Sequence, residues 1–192
     1  IDALNKETTY EYDALGRLIK TTDPRNGITE TFYNAAGNVA QTKDARGNTT
    51  TYAYDAANRL ISITDAQNNV TTYHYDALGR RIFMTDANGN DFSTTYDALG
   101  RVVAVTDPLN HTTQTVYNAL GQVVSNTDAN GHIVTFNYDV LGRLISQTDA
   151  LNNTTSYTYD AVGNRLSVTD ANNHTAMTTY DALNRPIEMT DA

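Results

Sequence analysis

Polar and apolar residues alternate along this chain in stretches of five or six, and each stretch runs into a cluster of Asp, Asn and Gly. In Thr50-Thr51-Tyr52-Ala53-Tyr54 and in Thr154 to Tyr159, Thr and Tyr recur with a period of two. β-branched and aromatic side chains in that pattern predict short strands. The stretches between them, such as Leu60-Ile61-Ser62-Ile63 and Val102-Val103-Ala104-Val105, are richer in aliphatics and predict a second set of strands. All thirteen tyrosines fall in two columns. The first, an anchor column, holds Tyr12, Tyr33, Tyr54, Tyr75, Tyr96, Tyr117, Tyr138, Tyr159 and Tyr180. The second lies two residues earlier, hence on the same face, and holds Tyr10, Tyr52, Tyr73 and Tyr157, with Phe136 in the same place. The two columns are expected to form an aromatic ladder across the strands. Seven residues after each anchor the chain is always apolar, at Ile19, Ala40, Ile61, Ile82, Val103, Val124, Ile145, Leu166 and Ile187. This third column is the expected buried face.

The anchor tyrosines are 21 residues apart every time, across nine copies without insertion or deletion. A fixed period of this kind marks a repeat architecture in which each unit is one supersecondary motif. Turn chemistry identifies the motif. Asp-x-x-Gly follows the anchor at Asp13 and Gly16, Asp76 and Gly79, Asp97 and Gly100, Asp139 and Gly142, and Asp160 and Gly163. Gly37 and Gly121 keep the glycine behind Asn34 and Asn118, while Asp55 and Asp181 precede Asn58 and Asn184 instead. Asp at the first position and Gly at the fourth specify a type I turn closed by a left-handed residue. Asn is the residue other than Gly best suited to positive φ. A second turn with the same grammar comes later in each repeat, as in Asp44-Ala45-Arg46-Gly47 and Asp128-Ala129-Asn130-Gly131. Pro24 and Pro108 stand at the second position of such turns, where φ near −65° is favourable. Pro186, within the last apolar strand, must sit at an edge or a bulge because it has no N–H for the ladder.

The resulting expectation is an all-β chain of tandem 21-residue β-hairpin repeats forming one continuous antiparallel meander of about eighteen strands. At about 4.8 Å per strand the ribbon is roughly 85 Å wide. Twisted open sheets rarely exceed about ten strands without curling, so this one is expected to coil into a spiral shell or tube. Residues 1–192 read as a single array. The chain opens and closes at one repeat position, Asp2 matching Asp191, with no atypical capping repeat, and therefore reads as a slice of a longer chain.

Composition changes this picture little. The net charge is −9, but seventeen of the eighteen Asp stand at turn positions, Asp91 being the exception. The acidity is therefore turn chemistry repeated, and no basic stripe exists to neutralise the phosphates of a nucleic acid. Cysteine is absent, which excludes a disulfide framework, a thiolate metal site and a thiol nucleophile. No apolar run approaches the roughly 20 residues of a membrane-spanning helix.

Candidate chemistry reduces to local structure. The repeated Asp suggest carboxylate pairs, yet Asn34 and Asn118 replace them, as suits a turn and not a catalytic acid. Asp86-Ala87-Asn88-Gly89-Asn90 begins like a calcium loop, but Asp91 stands where the sharp-turn Gly belongs and Asp97 where a bidentate Glu belongs. His111, His132 and His174 share a column with Asn48, Asn69, Asn90 and Asn153, so they read as turn-end residues and not as a zinc set. No catalytic residue, cofactor or metal site is expected. Arg17, Arg59, Arg80, Arg101, Arg143 and Arg185 follow the first turn and are expected to pair with a turn Asp of their own or the adjacent repeat, as exposed pairs.

The run Tyr-Asp-Ala-Leu-Gly-Arg, as at residues 75–80 and 96–101, followed by Thr-Asp-Ala-x-Gly-Asn, as at residues 85–90, resembles the RHS or YD-repeat family over the whole chain. That family includes bacterial polymorphic toxins, the cocoon proteins of insecticidal toxin complexes, and the teneurins. The resemblance implies a spiral β-sheet shell that encloses a toxic domain or serves as an extracellular scaffold, in a secreted or surface protein. The Asp-Pro-x-Gly processing region of self-cleaving members has no counterpart here. Partners expected on this basis are neighbouring repeats of the same parent chain or identical subunits, and an enclosed toxin domain. Two other readings stand beside it: the wall of an extracellular tube or filament, and an adhesion module presenting its tyrosines to glycans or protein.

Overall fold

The computed structural model describes residues 7–191, so residues 1–6, with Asp2, and Ala192 lie outside the described residues. Among the described residues there are eighteen strands and no helix, and strands that follow one another in the chain pair antiparallel. The chain divides into two compact units, Ile1–Ser93 and Thr94–Ala192, the division falling inside one strand. The first unit contains β1 (Thr9–Tyr12), β2 (Leu18–Thr22), β3 (Ile28–Tyr33), β4 (Val39–Lys43), β5 (Thr49–Tyr54), β6 (Leu60–Thr64), β7 (Val70–Tyr75), β8 (Arg81–Thr85) and the first half of β9 (Asp91–Tyr96). The second contains the rest of β9, β10 (Val102–Thr106), β11 (Thr112–Tyr117), β12 (Val123–Thr127), β13 (Ile133–Tyr138), β14 (Leu144–Thr148), β15 (Thr154–Tyr159), β16 (Arg165–Thr169), β17 (Thr175–Tyr180) and β18 (Pro186–Thr190). In each unit the first turns of the repeats line one edge of the sheet and the second turns line the other.

Two kinds of pairing alternate. Across a second turn the ladder is short and regular, as in Ser62↔Thr72, Ile63↔Thr71 and Thr64↔Val70. Across a first turn it is longer and slips by one residue: Tyr52 faces Ile63, Ala53 faces Ser62, and then Tyr54 faces Leu60. Ile61 is left over, which is a β-bulge. The same slip leaves out Ile19, Ala40, Ile82, Val124, Ile145, Leu166 and Ile187.

The invariant apolar column is thus the bulged residue of the hairpin and not a core. Among the described residues no apolar side chain is buried, and Ser167 is the buried polar one. The expectation of a buried face fails because no second layer lies on the sheet within either unit. The apolar residues instead pair along it, Tyr52 with Ile63, Tyr73 with Met84 and Tyr157 with Val168. Pro186 sits opposite Tyr180 at the bulge of β18, where its missing N–H takes nothing from the ladder.

Candidate functional site

The most elaborate chemistry in the molecule is at the first turns, where each repeat meets the next. Asp76 opens one. The Gly79 N–H donates to the Asp76 carbonyl at 3.0 Å, the Asp76 N–H donates to the Arg80 carbonyl, and Gly79 takes φ of 84°. Asn58 and Asn184 fill the same place at φ of 61°, as their side chains allow. One carboxylate oxygen of Asp76 accepts the N–H groups of Leu78 and Arg80, and the other accepts the Arg80 Nε at 2.6 Å. This arrangement recurs at Asp13, Asp55, Asp97, Asp139 and Asp181, each with the arginine four residues on. The guanidinium therefore pairs with its own turn, and apart from Arg185 at the last repeat it is half-buried, against the sequence expectation of exposed pairs.

Burial has a reason: the arginine also covers the tyrosine of the following repeat. Arg17 lies 4.3 Å from the ring centre of Tyr33, Arg59 4.9 Å from Tyr75, Arg101 4.3 Å from Tyr117 and Arg143 4.8 Å from Tyr159. These are cation–π contacts. Arg59 and Arg143 further donate through Nη1 to the carbonyls of Asp76 and Asp160 in the next turn. Arg101 Nη1 is buried without such a bond and is held against the Tyr117 ring.

The tyrosine hydroxyl completes the clasp. It donates to the carbonyl that opens the aliphatic strand of the preceding repeat: Tyr33 to Leu18, Tyr54 to Val39, Tyr75 to Leu60, Tyr117 to Val102, Tyr138 to Val123, Tyr159 to Leu144 and Tyr180 to Arg165, at 2.8–3.1 Å. These carbonyls flank the bulge, beyond the point where the three-rung ladder between hairpins has ended. A side chain thus supplies the bond that the backbone geometry there cannot. The tyrosines do share a face, as expected, but their rings at Tyr33, Tyr75, Tyr117 and Tyr159 pack against guanidinium groups in place of the expected aromatic ladder.

Where arginine is missing, an amide takes over. Asn38 Nδ2 donates to Asn58 Oδ1 of the next turn, Asn164 Nδ2 to Asn184 Oδ1, and Gln122 Nε2 to the Gly142 carbonyl. Two of these sites pair an amide with an amide, Asn34 with Asn38 and Asn118 with Gln122. At these two sites charge is lost from both partners together. That linked exchange is visible in the sequence and was the signal by which the clasp could have been read there.

The second turns repeat the capping without the reach. Asp44 accepts the N–H groups of Arg46 and Asn48 on one oxygen and Asn48 Nδ2 on the other. His111, His132 and His174 occupy the asparagine place, with Nδ1 2.8–3.1 Å from Asp107, Asp128 and Asp170. Asp86, the start of the calcium-like run, is engaged in the same way by Asn88 and Asn90. Among the described residues no group of three or more His, Cys, Asp or Glu could hold a metal ion.

The turn carboxylates are held below their ordinary range. At Asp13 the backbone N–H of Arg17 and then its guanidinium are the causes; at Asp44 they are the Asn48 side chain and N–H. At Asp76 partial burial pushes the other way, and the Arg80 N–H, its guanidinium and the Leu78 N–H together outweigh it. Acids so stabilised in their ionised form, each already accepting several hydrogen bonds, serve as caps and not as proton carriers.

No curated protein matches the chain in sequence. Among solved structures, the fold is similar to that of the TcdB2–TccC3 complex with Cdc42, at 17% identity and a TM-score of 0.50 over 98% of this chain and 14% of that one. It is equally similar to TcdB2–TccC3 without its hypervariable C-terminal region, at 18% identity and 0.50 over 96% and 14%. The Tc holotoxin pore of Photorhabdus luminescens matches at 17% and 0.50 over 97% and 15%. The chain therefore spans about a seventh of the length of the solved chains it resembles. The RHS repeat family matches residues 1–28, 33–69, 54–91, 81–112, 96–133, 117–153 and 138–175, in overlapping copies that follow the clasped hairpins, and the chain belongs to that family.

Proposed function

We propose that this chain is a stretch of wall in a hollow RHS-type shell, structural and not catalytic, that encloses or scaffolds a toxin or effector in a secreted or surface bacterial protein. The observation that carries this reading is the clasp. Repeat after repeat offers a carbonyl to the tyrosine of the next, with a guanidinium or an amide reaching toward the following turn beside it, so the unit is built to be extended. The bulge adds to the argument: recurring at the same place in hairpin after hairpin, it contributes the same increment of bend and twist each time, as a long strip needs if it is to curve around a volume. The proteins sharing this fold include the Tc holotoxin pore, and the chain spans a small part of them, so an enclosed domain would belong to another part of its parent protein.

On this reading residues 1–192 are a single array, and the anchor tyrosines with their turn Asp and Gly are its structural motif. The partners are neighbouring repeats of the same parent chain or identical subunits, and the enclosed domain; no cofactor takes part. Binding of glycans by the anchor tyrosines is disfavoured, because ring faces and hydroxyls are already occupied in the clasp. Electron microscopy of the native parent protein tests the proposal. Closed hollow particles with internal density are expected, and long uniform tubes would overturn it in favour of a structural filament.

A further inference from the structure

The two edges of the second unit differ in a way that turn chemistry does not require. At the third position of each first turn stand Leu99, Leu120, Leu141, Val162 and Leu183, all between 68% and 77% exposed. A type I turn has no use for leucine there; polar residues would serve the backbone as well. The position comes up once per hairpin, so the side chains form a row with a step of two strand spacings, about 10 Å. At the opposite edge the same position reads Leu109, Asn130, Leu151, Asn172, so the row is broken.

Charge separates the edges in the same sense. Along the leucine edge Asp97, Asp139 and Asp181 are each balanced by an arginine, and the Asn118 turn is neutral, which leaves Asp160 as the one carboxylate there bonded by an asparagine and not by an arginine. Along the other edge Asp107, Asp128, Asp149 and Asp170 are engaged by histidine or asparagine, with no lysine or arginine among those turns. One edge is apolar and nearly neutral; the other is acidic. The first edge can approach a copy of itself with its carboxylates mostly neutralised by arginine, whereas the second would set unneutralised carboxylates against one another.

We infer that the leucine edge of the second unit is a self-association surface whose occupant is the same edge of a second copy of this chain, related by a two-fold axis. An apolar row with a 10 Å step finds its matching step on another array of this repeat. The lone carboxylate selects the direction. Parallel rows in register would set Asp160 against its own copy, whereas antiparallel rows centred on Leu141 set the Asp160 turn against the uncharged Asn118–Gln122 turn. In that arrangement Leu141 meets Leu141, Leu120 meets Val162, and Leu99 meets Leu183. An isologous contact of this kind closes at two copies. Five apolar tips bury less than the roughly 1,200 Å² at which stable interfaces begin, so the dimer is weak and concentration-dependent. This surface is independent of what any shell encloses.

Sedimentation equilibrium of the intact chain across micromolar to millimolar concentration is the first test, with a monomer–dimer equilibrium expected. Leu120→Asp and Leu141→Asp should each weaken dimerisation at least tenfold, while Leu109→Asp and Leu151→Asp on the other edge leave it unchanged. Circular dichroism identical to the parent excludes misfolding, since these side chains project into solvent. Because the chain has no cysteine, Leu141→Cys gives a clean probe. It should crosslink to itself with a short bis-maleimide, whereas Leu120→Cys should crosslink to Val162→Cys of a second copy and poorly to itself. A monomer at all concentrations would overturn the inference. So would open-ended oligomers insensitive to Leu141→Asp, which would indicate pairing through the ends of the sheet.

Discussion

At the scale of the residue, the clasp explains why tyrosine and not phenylalanine stands in the anchor column. A phenyl ring would accept the guanidinium as well, but only the hydroxyl reaches the carbonyl beside the bulge. Tyr75→Phe should keep the Arg59 contact and leave the Leu60 carbonyl without its donor, at a cost of about 1 kcal/mol. Urea unfolding, with faster amide exchange confined to β6 and β7, would show it; exchange that rises equally in β3 would mean the bond has no local role. A larger loss is expected at Gly100, whose φ of 84° a β-branched residue resists. Gly100→Val should cost roughly 1–3 kcal/mol through backbone strain. Amide exchange unchanged from Tyr96 to Val105 would contradict that expectation. Both predictions rest on single positions whose roles differ in how visible they were: the glycine is specified by local turn rules, whereas the hydroxyl bond spans fifteen residues and belongs to no local pattern.

At the scale of the hairpin, the same contrast recurs. Turn positions, strand order and antiparallel direction were legible because Asp, Gly and Asn act within four residues of themselves. The bulge was not. An apolar residue at a constant offset looks like a core position when parity is counted along one strand, and the slip that makes Ile61 or Ile145 the extra residue is a relation between two strands. Its consequence is measurable. Ile145 is 38% exposed, so Ile145→Ala should cost about 1 kcal/mol or less. A buried isoleucine would cost about 2–5 kcal/mol. A loss in that upper range by chemical denaturation would mean that the bulge side chain is covered in solution, as a second layer on the sheet would do. The arginine followed the opposite course: its partner was legible in the sequence, but its burial was not, because the tyrosine that covers it comes from the next repeat.

At the scale of the whole molecule, no apolar core supports the fold among the described residues, so hydrogen-bonded turns carry a large share of what holds the repeats in register. Every turn Asp from Asp13 to Asp181 has its carboxyl held below the ordinary range. The sign of the linkage follows. Between the lowered folded value and the unfolded one, the unfolded chain binds more protons, so acid favours unfolding. The stabilisation is complete above the unfolded pKa of about 3.9 and is lost as pH falls through the folded values beneath it. Relief of self-repulsion as the net charge of −9 shrinks acts in the opposite direction, but it is screened by salt beyond about 10 Å, whereas the cap bonds act at contact. The urea midpoint should therefore be nearly flat from pH 7 to about 5 and fall steeply below about 4. The chain contains its own control, since Asn34 and Asn118 cap their turns with a group that does not titrate. Hydrogen exchange near pH 3 should lose protection at the Asp97 and Asp139 turns before the Asn118 turn between them. Asp97→Asn with Arg101→Gln, which copies the Asn118–Gln122 pair, should delay the loss at that one turn. If protection instead disappears at all three turns together in the parent chain, the carboxylate caps are not what acid removes.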